Sequence, residues 1–343
     1  MDAKNNIINE IAVNVNVEVD MSPLDGKVIL VTGASGLLGT HIVSALQLAR
    51  DDFGVDIELH VQVKSKLGIG VGGNKYPPTV VHYANLANDN DCAMLPNADI
   101  IISAAAYAQP LRFLSEPLMA LRASTYGLMN LLEKCNVGGR FLYISSSEVY
   151  CDSPATPPYR EQDTGSISPY HPRACYIEGK RFGEAITYLY NNRGISTVAV
   201  RPGITYGPGI KRGDKRSWAQ FIERALTQGE IKMMDAGNVK RTFCYMTDGI
   251  EMLFNVLLYG TQKVYNLSGK SSLSIFELAE KIGEIAHVPV IVPEDDSGGV
   301  AGTPDDLQLS TELIESEFPK SEWVGIDEGL TQTIEWSREN LYK

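Results

Sequence analysis

Tyr176-Ile-Glu-Gly-Lys180 sets a phenol and an ammonium four residues apart, a spacing that brings both to one face of a helix. An ammonium beside a phenol favours the phenolate and lowers its pKa. Such a pair can exchange a proton with a substrate hydroxyl while a hydride moves to a redox carrier. Upstream, an apolar run over 141–145 leads into Ser145-Ser146-Ser147-Glu148-Val149-Tyr150. A hydroxyl at that position can hydrogen-bond the same reacting oxygen as Tyr176. Each motif alone has an ordinary explanation: serines at strand ends form turns, and with 16 tyrosines in the chain most must be structural. Together, in this chain order, they read as one site.

A third motif lies nearer the N-terminus. Gly33, Gly36 and Gly39 are spaced by three within Val31-Thr-Gly-Ala-Ser-Gly-Leu-Leu-Gly39, after a short apolar run. The first glycine permits a tight turn, the second lets a pyrophosphate approach the backbone, and the third lets helix and strand pack closely. The following helix offers free N–H groups and a partial positive charge to the phosphates. A second strand ordinarily supplies an acid to the adenosine ribose of NAD. Here its end reads His60-Val-Gln-Val-Lys64-Ser65-Lys66, without Asp or Glu. Lys64, Ser65 and Lys66 either receive a 2′-phosphate, which favours NADP, or are solvated charges. NAD and NADP both stay open at this point.

These motifs need elements to hold them. Residues 27–31, 57–63, 98–103, 141–145 and 197–201 read as buried strands, and 37–50, 118–135 and 176–191 as helices. Strands alternating with helices predict an α/β fold with a parallel sheet covered on both faces, whose ligands lie beyond the carboxyl ends of the strands. After Pro202 the pattern loosens. Helices are predicted over 218–227, 248–258, 275–286 and 330–342, and a strand over 264–267 returns to the main sheet. The expected organisation is an N-terminal extension (1–25), a dinucleotide-binding domain (26–203) and a smaller, mainly substrate-binding α/β domain (204–343).

Composition excludes other classes. The chain has 343 residues, 44% of them hydrophobic, and a net charge of −12. That acidity disfavours nucleic acid as a partner. Five cysteines at irregular spacings and five histidines without ligand spacing predict neither a disulfide framework nor a metal site. No apolar run approaches the roughly 20 residues of a membrane span, and no signal peptide opens the chain. The expectation is a soluble cytoplasmic protein.

GASGLLG (33–39), SSSEVY (145–150), YIEGK (176–180), RPGITYGPG (201–209) and KRTFCYMTD (240–248) together resemble the extended short-chain dehydrogenase/reductases. Within them, the chain is most similar to the NAD(P)-dependent nucleotide-sugar epimerases, dehydratases and decarboxylases. The resemblance runs from about Lys27 onward. It implies a Rossmann-type doubly wound sheet, NAD or NADP as cofactor, a nucleotide-diphosphate sugar as substrate, and a homodimer built on 118–135 and 176–191. The implied catalytic residues are Ser146, Glu148, Tyr176 and Lys180. The implied cofactor contacts are Gly33, Ser35, Gly36, Leu37, Leu38, Lys64, Ala104, Ala105 and Arg201, with Tyr176 and Lys180.

Ser147 stands where the 4,6-dehydratases carry Asp, so Ser-Ser-Glu looks more like the UDP-glucuronate decarboxylases, as does Pro172 to Arg181. Cys151 departs from the family's glycine. Basic residues gather at Lys211 to Arg216 and at Lys240-Arg241. Arg216 and Arg241 are assigned to the sugar nucleotide, because arginine forks match phosphate oxygens, and Ser147 to the substrate. The implied chemistry is oxidation at C4, followed by reaction at C5 or C6. A 4-epimerase, a 4,6-dehydratase, an NADPH-dependent 4-keto reductase and a non-catalytic dinucleotide-sensing regulator or scaffold are the alternatives.

Overall fold

The computed structural model describes residues 19–64, 80–294 and 301–343. Its main sheet contains β1 (Lys27–Thr32), β2 (Ile57–Val63), β3 (Val80–Tyr83), β4 (Ala98–Ser103), β5 (Cys135–Ile144) and β6 (Ser196–Pro202). β7 (Ile204–Tyr206), β8 (Ile231–Lys232) and β9 (Lys240–Tyr245) lie outside it. β10 (Val264–Leu267) rejoins it, and β11 (Ser271–Ser274) and β12 (Val290–Ile291) follow. The order across the main sheet is β10-β6-β5-β4-β1-β2-β3, with every pairing parallel. The strand order reverses between β1 and β4, and ligands of doubly wound sheets bind in the crevice at such a point.

Successive strand residues face opposite layers, which explains the unbroken apolar runs. Ile29, Val31, Ile100, Ile102, Leu142 and Val200 belong to one core. Leu30, Ile101, Phe141, Tyr143 and Ala199 belong to the other. The helix Leu37–Asp51 and the helix Met246–Tyr259 cover the first face. The chain after 203 therefore does more than build a separate lobe, because both β10 and Met246–Tyr259 complete the main layers. A three-stranded sheet, β11-β9-β7, carries Arg241 on its central strand.

Several elements differ from the sequence expectation, among them β7, β8, β9, β11 and β12, which the loosened pattern after Pro202 did not announce. β3 was not anticipated: it is an edge strand with half-exposed or exposed residues and lacks the apolar run of a central strand. The helix expected over 118–135 is Pro117–Arg122, a π turn Ala123–Gly127 and Leu128–Leu132, and Cys135 already begins β5. Gly127 at the break packs so tightly that a Cβ there would lie 2.3 Å from the Leu86 carbonyl. Among the described residues no helix is long and apolar enough to cross a membrane.

Candidate active site

The glycine loop connects β1 to the helix Leu37–Asp51. Gly33 has φ +66°, and a Cβ there would come within 2.6 Å of Ala105 Cα. A Cβ on Gly39 would lie 2.2 Å from the Gly33 carbonyl oxygen. These two glycines are demanded by the backbone itself. Gly36 differs: its φ of −76° suits any residue, it is exposed, and a Cβ there would meet only the Gly33 carbonyl oxygen, at 3.3 Å. What glycine supplies there is open surface at a helix N-terminus that has no side-chain cap. The first N–H groups of a helix lack intrahelical partners, so this cradle fits a dinucleotide pyrophosphate.

Ser35 and Leu38 are half-buried beside the cradle and Leu37 is buried. Ala105 donates its N–H to Thr32 Oγ1 (3.3 Å), which holds Ala104 and Ala105 against the loop. Gln62 of β2 accepts the Gly33 N–H (2.9 Å). Lys64 is exposed at the end of the same strand and donates to Tyr107 Oη (2.9 Å). Ser65 and Lys66 lie outside the described residues.

Arg201 corrects the expected cofactor set. Its guanidinium meets Glu184 with two bonds (2.8 and 2.7 Å), Tyr150 Oη (2.8 Å) and the Glu161 carbonyl (2.6 Å), and the residue is buried. Its fork is consumed inside the protein, because a buried guanidinium must find partners for its donors.

Ser146 sits just beyond β5 and caps a short 3-10 turn, Ser147–Tyr150, by accepting the Glu148 N–H (3.1 Å). Ser147 opens that turn. Tyr176 lies in the first turn of the helix Ala174–Leu189, two residues inside its start. Ser146 acts on the Tyr176 phenol and favours its phenolate, which couples two motifs thirty residues apart in sequence. Lys180, one turn on, is buried and donates to the Ile144 carbonyl (2.7 Å), with Nζ 5.8 Å from the Tyr176 ring centre.

The charge states depart from the spacing argument. Burial pushes the Tyr176 phenol well up, the charge of Glu148 adds to this, and the Ser146 hydrogen bond and Arg173 oppose it. Lys180 Nζ is turned to the strand end, where it donates to the Ile144 carbonyl. Burial in turn holds the Lys180 amine down to about 8, against the opposing charge of Glu184.

Glu148 is gripped by Arg173, whose Nε donates to Oε2 (2.9 Å) and whose Nη2 donates to Oε1. Arg173 also stacks on Phe113 (4.9 Å), and Phe113 lies parallel on the Tyr176 ring at 4.6 Å. Arg173 and Phe113 were missed as site residues. Arg173 was visible within the PRACYIEGKR motif, whereas Phe113 carries no sequence signal.

On the expected substrate side, Arg216 forks onto Asp214 (3.0 and 2.6 Å) and lies over Trp218. Arg241 is buried and donates to the carbonyls of Lys240, Pro304 and Asp305 (2.7–2.8 Å). Its charge interacts with Glu148. Neither arginine is idle, and Arg241 ties the 304–305 segment to β9. Among the described residues, no group of three or more His, Cys, Asp or Glu could hold a metal ion.

Residues 29–268 match the profile of the NAD dependent epimerase/dehydratase family. UDP-glucuronic acid decarboxylase 1 of Xenopus tropicalis is 27% identical over 330 residues, spanning 94% of this chain and 74% of that protein. UDP-glucuronic acid decarboxylase 6 of Arabidopsis thaliana is 30% identical over 281 residues, 81% of this chain and 78% of its own. Among solved structures, the UDP-glucose 4-epimerase of Thermus thermophilus in complex with NAD aligns with a TM-score of 0.74. It is 22% identical and covers 91% of this chain and 99% of its own.

Proposed function

The chain belongs to the NAD dependent epimerase/dehydratase family, a family of enzymes, and on that premise we propose that it decarboxylates a nucleotide-diphosphate uronic acid of the UDP-glucuronate type. The observation that carries this reading is Glu148, paired with Arg173 beside Tyr176 and Ser146, with Ser147 where a dehydratase acid would stand. The relatives at 27–30% identity support it. Gly33, Ser35, Gly36, Leu37, Leu38, Ala104 and Ala105 hold the dinucleotide. When bound, that cofactor supplies a hydride acceptor and later donor.

The chain's own part is proton handling. Tyr176 Oη takes the proton of the substrate C4 hydroxyl, with Ser146 Oγ bonded to the same reacting oxygen. Tyr176 must therefore be deprotonated first, and burial of the phenol raises the barrier to this. A cationic group entering beside the phenol lowers that barrier. Once C4 is a ketone, the C5–C6 bond breaks towards it: its electron pair passes to the C4 oxygen and C6 leaves as carbon dioxide. Glu148 then stands beside the C5 position, where a proton must return. Arg216 and Arg241, within a substrate-binding part formed mainly by 204–343, take the diphosphate side. Arg216 does so by exchanging Asp214 for phosphate oxygens.

The test is mass spectrometry of UDP-glucuronate, UDP-glucose and dTDP-glucose incubated with the protein. Loss of carbon dioxide from UDP-glucuronate supports the proposal. Turnover of a neutral hexose with UDP-glucuronate unchanged refutes it, and full activity in Tyr176→Phe refutes the assignment of the base.

A homodimer is part of the same proposal. The helices Pro117–Arg122 and Ala174–Leu189 pack together and leave Leu118 (79% exposed), Leu121, Phe182 and Leu189 on the surface. Contiguous exposed apolar side chains favour association. Light scattering of the purified protein should give twice the chain mass, and Leu118→Glu with Phe182→Glu should give monomers.

A further inference from the structure

The carboxyl end of β2 is where a nicotinamide dinucleotide meets the side chain that reads its adenosine ribose. In this chain the position belongs to Lys64. In the sheet, β1 lies between β4 and β2, so the glycine loop is flanked by the ends of both neighbours. Gln62 holds that loop from the β2 side through Gly33 N–H. Lys64, two residues on, leaves the strand end on the same side by the alternation of the pleat. Tyr107 follows β4 just after Ala104 and Ala105, which pack on Gly33. The 2.9 Å bond from Lys64 Nζ to Tyr107 Oη thus joins the two flanks across the mouth of the glycine loop.

A second cation stands at the same ring. The Arg112 guanidinium lies 4.9 Å from the Tyr107 ring centre, and Lys64 Nζ lies 5.0 Å from it. Among the described residues, the ion pair of Arg112 is a loose exposed contact with Glu116, at 3.9 Å, which is worth little in water. Lys64 meets a neutral phenol and forms no ion pair among the described residues. A carboxylate at this point would accept both ribose hydroxyls and repel a phosphate. Two cations around a phenol do the reverse.

We propose that Lys64, Tyr107 and Arg112 form a site for the 2′-phosphate of an adenosine ribose, so that the chain takes NADP(H) in preference to NAD(H). Lys64 exchanges a neutral acceptor for a phosphate carrying nearly two negative charges, and Tyr107 then offers its hydroxyl to the same group. This rests on the reading that the glycine loop holds a nicotinamide dinucleotide, and is independent of which sugar is turned over.

The experiment is isothermal titration of the full chain with NADPH and NADH, and with adenosine 2′,5′-bisphosphate and AMP as fragments. The 2′-phosphorylated member of each pair should bind at least about tenfold more tightly, as expected for one charge-assisted contact to phosphate. Lys64→Ala should bring the two dinucleotides to within about twofold of each other, and Lys64→Glu should invert the preference. Arg112→Ala should narrow the preference by less. Thermal melts of each variant report whether the fold is kept. Equal or tighter binding of NADH by the unaltered chain overturns the proposal while the cofactor reading stands. If neither dinucleotide binds, the cofactor reading falls and the proposal with it.

Discussion

The two ends of the site solve opposite problems. Around the glycine loop the chain leaves polar groups open: an uncapped helix N-terminus, an exposed Gly36 and a lysine whose partner among the described residues is a neutral phenol. Towards the sugar end every charged group of the proposed machinery is already partnered. Glu148 is held by Arg173, Arg216 by Asp214, and Arg241 by three carbonyls. The open end is preformed because backbone geometry alone builds it. The paired end avoids leaving buried charges uncompensated, and it binds an anion only by exchanging one partner for another. Binding at the first end should therefore be insensitive to single charge changes outside Lys64 and Arg112. At the second end, the same changes should alter stability and affinity together.

The largest expected break comes from Arg173→Met, which strands the Glu148 carboxylate in a nearly closed site. Loss of one member of a buried pair costs about 3–5 kcal/mol, read as a lower urea midpoint at unchanged slope. Adding Glu148→Gln should recover most of it. If the double variant is no more stable than the single one, the sugar end is not held by charge pairing.

Next comes the contrast between two glycines. Gly33→Ala must enter the left-handed region and collide with Ala105, at a cost of about 2 kcal/mol or more. Gly36→Ala, whose backbone suits any residue, should keep the melting temperature yet weaken dinucleotide binding in the same titration. Equal stability losses in the two variants would contradict the division between built backbone and open surface.

A smaller effect is expected from Arg216→Ala. One charge-assisted fork is lost, so the affinity for UDP should fall by about tenfold, while NADPH binding stays within about twofold. A parallel loss of both ligands would show that the two ends are coupled.

The smallest concerns Lys180 at the junction. Its amine is held at about 8, below the ordinary value of 10.5. Below about pH 8 both folded and unfolded chains carry the charge, and the folded state bears the burial cost. Between about 8 and 10.5 only the unfolded chain keeps the proton, so stability attributable to this group rises with pH. Lys180→Met should accordingly be the more stable protein at pH 7 and inactive, with its advantage shrinking towards pH 10. An advantage that grew with pH would have the wrong sign for a buried amine.

Much of the fold was legible. The strands Ile57–Val63, Ala98–Ser103 and Val264–Leu267 match the sequence reading to the residue, because alternating or clustered apolar residues between turn signals mark a buried strand. The edge strand β3 has no such signature. The glycine loop and the spacing of Tyr176 and Lys180 were equally legible, since turn geometry and helical period are local properties.

The partners of charged side chains were not legible. Arg201 looked like a cofactor residue and turns inward to Glu184 and Tyr150. Arg241, assigned to the sugar nucleotide, also closes on the 304–305 segment. Lys180 looked like the group that sets the Tyr176 pKa, and burial raises it instead. The sequence by itself determined the central strands and the helices between them, the glycine loop, and the candidate proton-transfer residues, all from contacts within one or two turns of chain. Only the tertiary structure decided which ions pair and which stay open, because desolvation and pairing depend on segments that meet in space from distant parts of the sequence.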